Sequence, residues 1–134
     1  VVAMSGTFGY ELDTNLMTDE EKEIVKEQVK TYKKYYDIIN YGDYYRLSDP
    51  YKTDRYVAWM FLSEDKSKAL VNYVQVRAYA NAPAIYVKLQ GLKEDSIYIV
   101  DGVEYSGKSL MKCGIAMKSE NGDMIAKQIE IIEK

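Results

Sequence analysis

Apolar and polar positions follow two different rhythms along this chain, and the change falls at Gly42. Over residues 18–40 apolar side chains recur three and four apart, at Val25, Val29, Tyr32, Tyr36 and Ile39, the spacing of one helical face. Ile24, Tyr35 and Ile38 widen that stripe, so the helix is expected to meet neighbours on more than one side. Thr18 is placed to cap it, and Glu21 three residues later completes a capping box that satisfies two orphan backbone donors. Asp19, Glu20 and Glu21 in the first turn, with Lys33 and Lys34 toward the end, suit the helix dipole. Ahead of the helix, residues 1–4 (VVAM) form an apolar run without alternation, which predicts a short strand covered on both faces. Gly6 and Gly9 break it.

After Gly42 the runs are short and strand-like. Residues 43–47 make a first one, and residues 56–62 (YVAWMFL) are apolar on both alternating sets, as expected of a central strand. Residues 63–67 read as a polar hairpin link, and residues 69–80 as the returning strand. A change of phase near Asn72 and Tyr73 predicts a bulge there. Ile85, Val87 and Leu89 alternate with wetter positions, residues 97–100 and 103–105 flank Asp101-Gly102, and residues 115–117 and 125–132 flank Asn121-Gly122. The last pair predicts a two-residue hairpin, because both central positions of that turn need positive φ. In the final strand Ile125, Ile129 and Ile131 face one way, and Gln128 and Glu130 the other.

The sum is a mainly β fold, an antiparallel β-sandwich preceded by one strand and one long helix. A lone parallel-type strand cannot satisfy its backbone groups without neighbours. With Val1 rather than Met in first place, the opening unit reads as a piece of a larger α/β body. The expected division is residues 1–40 and residues 41–134.

Composition narrows the chemistry. The 134 residues include no histidine, which excludes a Ser-His-Asp triad, a Cys-His pair and any zinc site needing imidazole from this chain. Cys113 is the single cysteine, so no internal disulfide can form. That suits a reducing compartment, and a cytoplasmic location is expected. Eighteen basic residues against 21 acidic ones give a net charge of -3, so no nucleic-acid partner is expected. No apolar run approaches the roughly 18 residues of a membrane-spanning helix, and no membrane partner is expected either. Nothing in the pattern calls for a cofactor or a metal.

Tyrosine is the outlier, with 14 residues. Several lie near the passage from helix to sheet, with Trp59 just beyond. Tyr44, Tyr45 and Trp59 are the candidates for aromatic packing or for stacking against sugar rings. Packing is the favoured reading, because the cluster sits where helix and sheet must meet. Carboxylates are plentiful, and two of them roughly 5–10 Å apart could hydrolyse a glycoside. Such a pair needs a concave site in which burial raises one pKa. Most of the acids here, Asp13, Asp49, Asp65 and Asp101 among them, fall in polar turns, where they cap backbone groups. Gly6-Thr7-Phe8-Gly9 lacks both the dinucleotide fingerprint and the Walker lysine, and reads as a tight loop.

Three stretches together carry a resemblance: the run from Ala3 to Asp13 (AMSGTFGYELD), the charged helix, and residues 41–47 (YGDYYRL). Ala58-Trp59-Met60, residues 63–71 (SEDKSKALV), residues 89–92 (LQGL) and residues 98–102 (YIVDG) continue it to the end. The chain resembles the C-terminal part of a bacterial α-galactosidase of glycoside hydrolase family thirty-six. The resemblance implies a parent with an N-terminal β-sandwich, a central (β/α)8 barrel and a C-terminal antiparallel β-domain. It implies retaining hydrolysis of terminal α-galactosides such as melibiose and raffinose by two aspartates. On that mapping residues 1–40 are the last strand and helix of the barrel, and residues 41–134 are the β-domain. Neither catalytic aspartate has a counterpart here, so the catalytic set within this chain is empty. The expected partner is the remainder of the parent enzyme, with galactosides as the parent's substrates. A carbohydrate-binding or oligomerisation module, including a homo-oligomer, is the alternative.

Overall fold

A computed structural model describes all 134 residues. The capping box forms as its spacing requires: Thr18 Oγ1 accepts from the Glu21 N–H and the Glu21 carboxylate accepts from the Thr18 N–H. Helix α1 runs from there over Asp19–Tyr41. It stops at Gly42, where a side chain could not be housed. A Cβ there would come within 2.4 Å of the Ile38 carbonyl oxygen and 2.6 Å of that of Leu62. The close approach lets the chain turn straight from helix into sheet.

The strands are β1 (Asp43–Arg46), β2 (Tyr56–Leu62), β3 (Lys68–Gln75), β4 (Ile85–Val87), β5 (Ile97–Val100), β6 (Val103–Ser106), β7 (Ile115–Met117) and β8 (Ile125–Glu133). Six of them form one antiparallel sheet in the order β1-β2-β3-β8-β5-β6, and β4 pairs with β7 in a second, two-stranded sheet. One face of the large sheet meets the small one. Met60, Leu62, Val71, Tyr73, Tyr98 and Ile131 from the first pack with Val87, Leu89 and Met117 in a single core. The other face carries Trp59, Phe61, Leu70 and Val74, which pack with Tyr32 and Ile39 of α1. The body is thus layered: helix, large sheet, small sheet. The expected mainly antiparallel β fold with one long helix is what forms.

Four local expectations are corrected. Residues 1–4 are not a strand. They turn, with the Ser5 N–H donating to the Val2 carbonyl at 3.0 Å, and pair with no strand of either sheet. Val1, Met4 and Phe8 instead cover the helix–sheet seam. The bulge near Asn72 is absent, since β2, β3 and β8 pair one to one throughout. Alternation fades there because β3 is buried on both faces, under the helix on one side and the small sheet on the other. Asn121-Gly122 does not close a hairpin between β7 and β8, which belong to different sheets. The turn docks on buried Gln75, whose Nε2 donates to the carbonyls of Glu120 (2.9 Å) and Gly122 (2.7 Å). Finally, residues after Gly42 are not all strand and turn. A short helix α2 (Gly107–Lys112), capped by Ser106, inserts Leu110 into the main core.

The β2–β3 turn shows how the surface acids are used. Asp65 accepts hydrogen bonds from the hydroxyls of Ser63 and Ser67 and from the Ser67 N–H. These bonds, the Ser63 one first, hold its carboxyl down at about 2. A carboxyl depressed on folding stabilises above its unfolded value, near 4, and loses that contribution as pH falls through about 2. Between pH 4 and 2 the melting temperature of the wild-type chain is therefore expected to fall more steeply than that of Asp65→Asn. Circular-dichroism melts across that window check this.

Candidate functional site

The seam between α1 and the large sheet is where sequence and fold bring the candidate residues closest to function. Tyr32 donates its hydroxyl to the Gly6 carbonyl at 2.9 Å, and the Trp59 indole N–H donates to Ser5 Oγ at 2.9 Å. Ser5 Oγ in turn donates to the Val1 carbonyl. One helix residue and one sheet residue thereby clamp the same glycine-rich segment. Phe8 lies against Tyr32, and an edge-to-face run of rings continues along the helix through Tyr36 to Tyr41.

The three aromatic candidates do not form one platform. Tyr44 and Tyr45 are strand neighbours and project to opposite faces. Tyr44 lies edge-on to Phe61 on the helix side and is 55% exposed, whereas Tyr45 packs against the main core with its hydroxyl close to Gly91. Trp59 is 7% exposed, beneath the opening segment.

The acids are spread rather than paired. Asp49 is held below the usual carboxylate range by the Tyr51 N–H, and Glu133 by its hydrogen bond from Lys93. Asp65 is depressed as described, so every carboxyl with a resolved shift is shifted downward, opposite to the direction a general acid needs. Asp54 pairs with Arg77 and Glu104 with Lys134, both at the surface.

A cleft of about 340 Å³ runs between the last turns of α1, the β2–β3 turn and the start of β3, with Tyr35, Asp37, Tyr41, Glu64 and Lys68 on its walls. The Lys34 ammonium closes one end, bonded to Glu130 of β8 at 2.6 Å. That bond and a second, donated to the Tyr35 hydroxyl, push the lysine up to about 12. The sequence signal for this cleft was absent, because its walls come from positions 34–42, 63–70 and 130.

A helix clamped on the open face of a two-sheet antiparallel body defines a β-rich domain. The chain belongs to glycosyl hydrolase family 36. Residues 56–131 match the model of the family's C-terminal domain, and residues 1–42 match the melibiase model. The bifunctional alpha-galactosidase/sucrose kinase AgaSK of Mediterraneibacter gnavus is 52% identical over 119 residues, covering 87% of this chain and 13% of that protein. The crystal structure of the alpha-galactosidase AgaB from Geobacillus stearothermophilus superposes with a TM-score of 0.90 at 42% identity, over 99% of this chain and 18% of that one. A variant of AgaA from the same organism, solved in complex with raffinose, gives 0.89 at 40% identity, over 99% of this chain and 18% of its own. The chain therefore spans less than a fifth of the α-galactosidases it resembles, and matches only their C-terminal part.

Proposed function

We propose that this chain is the C-terminal part of an α-galactosidase whose chemistry resides elsewhere in the parent enzyme, and that its own role is to pack on the parent's barrel. The observation that carries this reading is full-length similarity, in sequence and in backbone, to a small share of enzymes that are all α-galactosidases. Residues 1–40 then close the barrel, and residues 41–134 form the β-domain that braces it. The surface supports this: Val2, Leu12, Leu16, Ile24 and Tyr36, all before residue 41, leave apolar area in water that a neighbouring body would cover. Asp49, Asp65 and Glu133 are all held down as carboxylates, the opposite of what a general acid needs, which supports a chain without an acid/base pair of its own. For the parent, the substrates are terminal α-galactosides such as melibiose and raffinose, and two aspartates outside this chain act as nucleophile and acid/base. An exposed free thiol at Cys113 fits a reducing, cytoplasmic setting.

The purified chain is expected to give no turnover of p-nitrophenyl α-galactoside. Hydrolysis that disappears when one carboxylate of this chain is changed to its amide would overturn the assignment. The parent is expected to release galactose with retained anomeric configuration, read by proton NMR on the first product.

A further inference from the structure

The cleft beside α1 lies between the helix end and the β2–β3 turn, and its chemistry is specific. Its floor is apolar, made by Ile38, Ala69 and Leu70, and two tyrosines stand at its walls. Tyr41 ends the helix with 76% of its surface exposed, leaving a ring face open to a flat apolar partner. Asp37, Glu64 and Lys68 open on the same space, and none of the three makes an ion pair or a side-chain hydrogen bond within the chain. Two acceptors and one donor group are thus unengaged beside an aromatic face. Lys34 and Glu130 neutralise each other at the far end, so the walls carry little net charge and offer no strong field to an ion.

We propose that this cleft binds a neutral saccharide of one or two rings. A sugar presents an apolar ring face for Tyr41 to cover and a fringe of hydroxyls that donate to Asp37 and Glu64 and accept from Lys68. The volume of about 340 Å³ sits at the small end of the range for ligand pockets, about 300–1,000 Å³, which suits one or two rings rather than a long chain. Phosphate would meet two carboxylates, and an ammonium compound would meet Lys68. This site differs from the aromatic set at Tyr44, Tyr45 and Trp59, whose tryptophan is buried. It uses no catalytic group, so it stands apart from the α-galactosidase assignment and can fail or succeed independently of it.

The test is a titration of the isotope-labelled chain with melibiose, followed by amide chemical shifts. Saturable shifts are expected at Tyr41, Gly42, Ser63, Glu64 and Ala69, with dissociation in roughly the millimolar range. Tyr41→Ala should weaken binding by about tenfold, which is the worth of one ring contact. Glu64→Gln, in an exposed turn where folding is not at stake, should weaken it several-fold. The proposal is overturned if melibiose gives no saturable shift at tenfold higher concentration, or if the shifts fall elsewhere. It is equally overturned if both variants bind as the wild type does, or if inorganic phosphate or glycine displaces the sugar.

Discussion

Replacing Trp59 by alanine should cost the chain about 3–5 kcal/mol of unfolding free energy, the range for removing a buried aromatic from a packed site. The ring lies on the sheet face beneath the opening segment, packed with Phe61, Leu70 and Tyr32, and only 7% of it is exposed. Its removal opens a cavity at the junction of sheet, helix and residues 1–8, so three parts loosen together. The indole N–H adds a second, separable effect. It is the side-chain hydrogen bond from the sheet to the opening segment, 2.9 Å to Ser5 Oγ. Trp59→Phe keeps most of the volume and should cost about 1 kcal/mol for that bond plus a share of the lost packing. Urea unfolding read by circular dichroism measures both, since the chain has no other tryptophan to report by fluorescence. A loss under 1 kcal/mol for the alanine variant would mean that the opening segment does not sit on this ring.

Tyr98→Ala is expected to be at least as severe. This side chain is 0% exposed on β5 and joins the large sheet to the small one. Its hydroxyl donates to the Lys66 carbonyl at 2.9 Å and accepts from the Lys93 N–H at 3.1 Å, so one oxygen holds two separate turns. Tyr98→Phe isolates that role. The ring stays, but two backbone groups lose their partner at a cost of about 1–3 kcal/mol. Lys66 sits at positive φ (62°), a conformation uncommon for a side-chain-bearing residue, and the hydroxyl helps hold that turn. Faster amide exchange at Lys93 and in residues 63–67 should accompany the phenylalanine variant. Unchanged exchange there would show that the hydroxyl is not what fixes the loops.

Both expectations fall on residues whose type was visible in sequence but whose work was not. Trp59 was singled out among the aromatic candidates, yet nothing local says that Ser5, 54 positions earlier, would be its partner. Tyr98 belongs to a stretch that carries the family resemblance, but a tyrosine in a four-residue strand reads only as a strand former, and nothing local marks its hydroxyl as a partner of Lys66 and Lys93. The cleft beside α1 was equally invisible, being assembled from three separated segments.

What the chain determines locally is the helix with its capping box, the stop at Gly42, and the apolar runs that become β1, β2, β5 and β8. The signals are local ones: a spacing of three and four along the helix, a glycine where it ends, and short runs that alternate or, in β2, are apolar throughout. Tertiary structure decided the rest. Residues 1–4 carry the apolar run of a strand, yet they form a turn that the Ser5 N–H closes on the Val2 carbonyl, and Trp59 and Tyr32 tie down the next two residues, Ser5 and Gly6. Asn121-Gly122 carried the signal of a hairpin, but buried Gln75 offered its amide to that turn and β7 found β4 instead. The six residues of α2 span too few turns for a helical period to show, and Leu110 settled the matter by filling the core. Local spacing sets which face of an element is apolar; which surface covers that face depends on residues far away in sequence, and so only folding decides it.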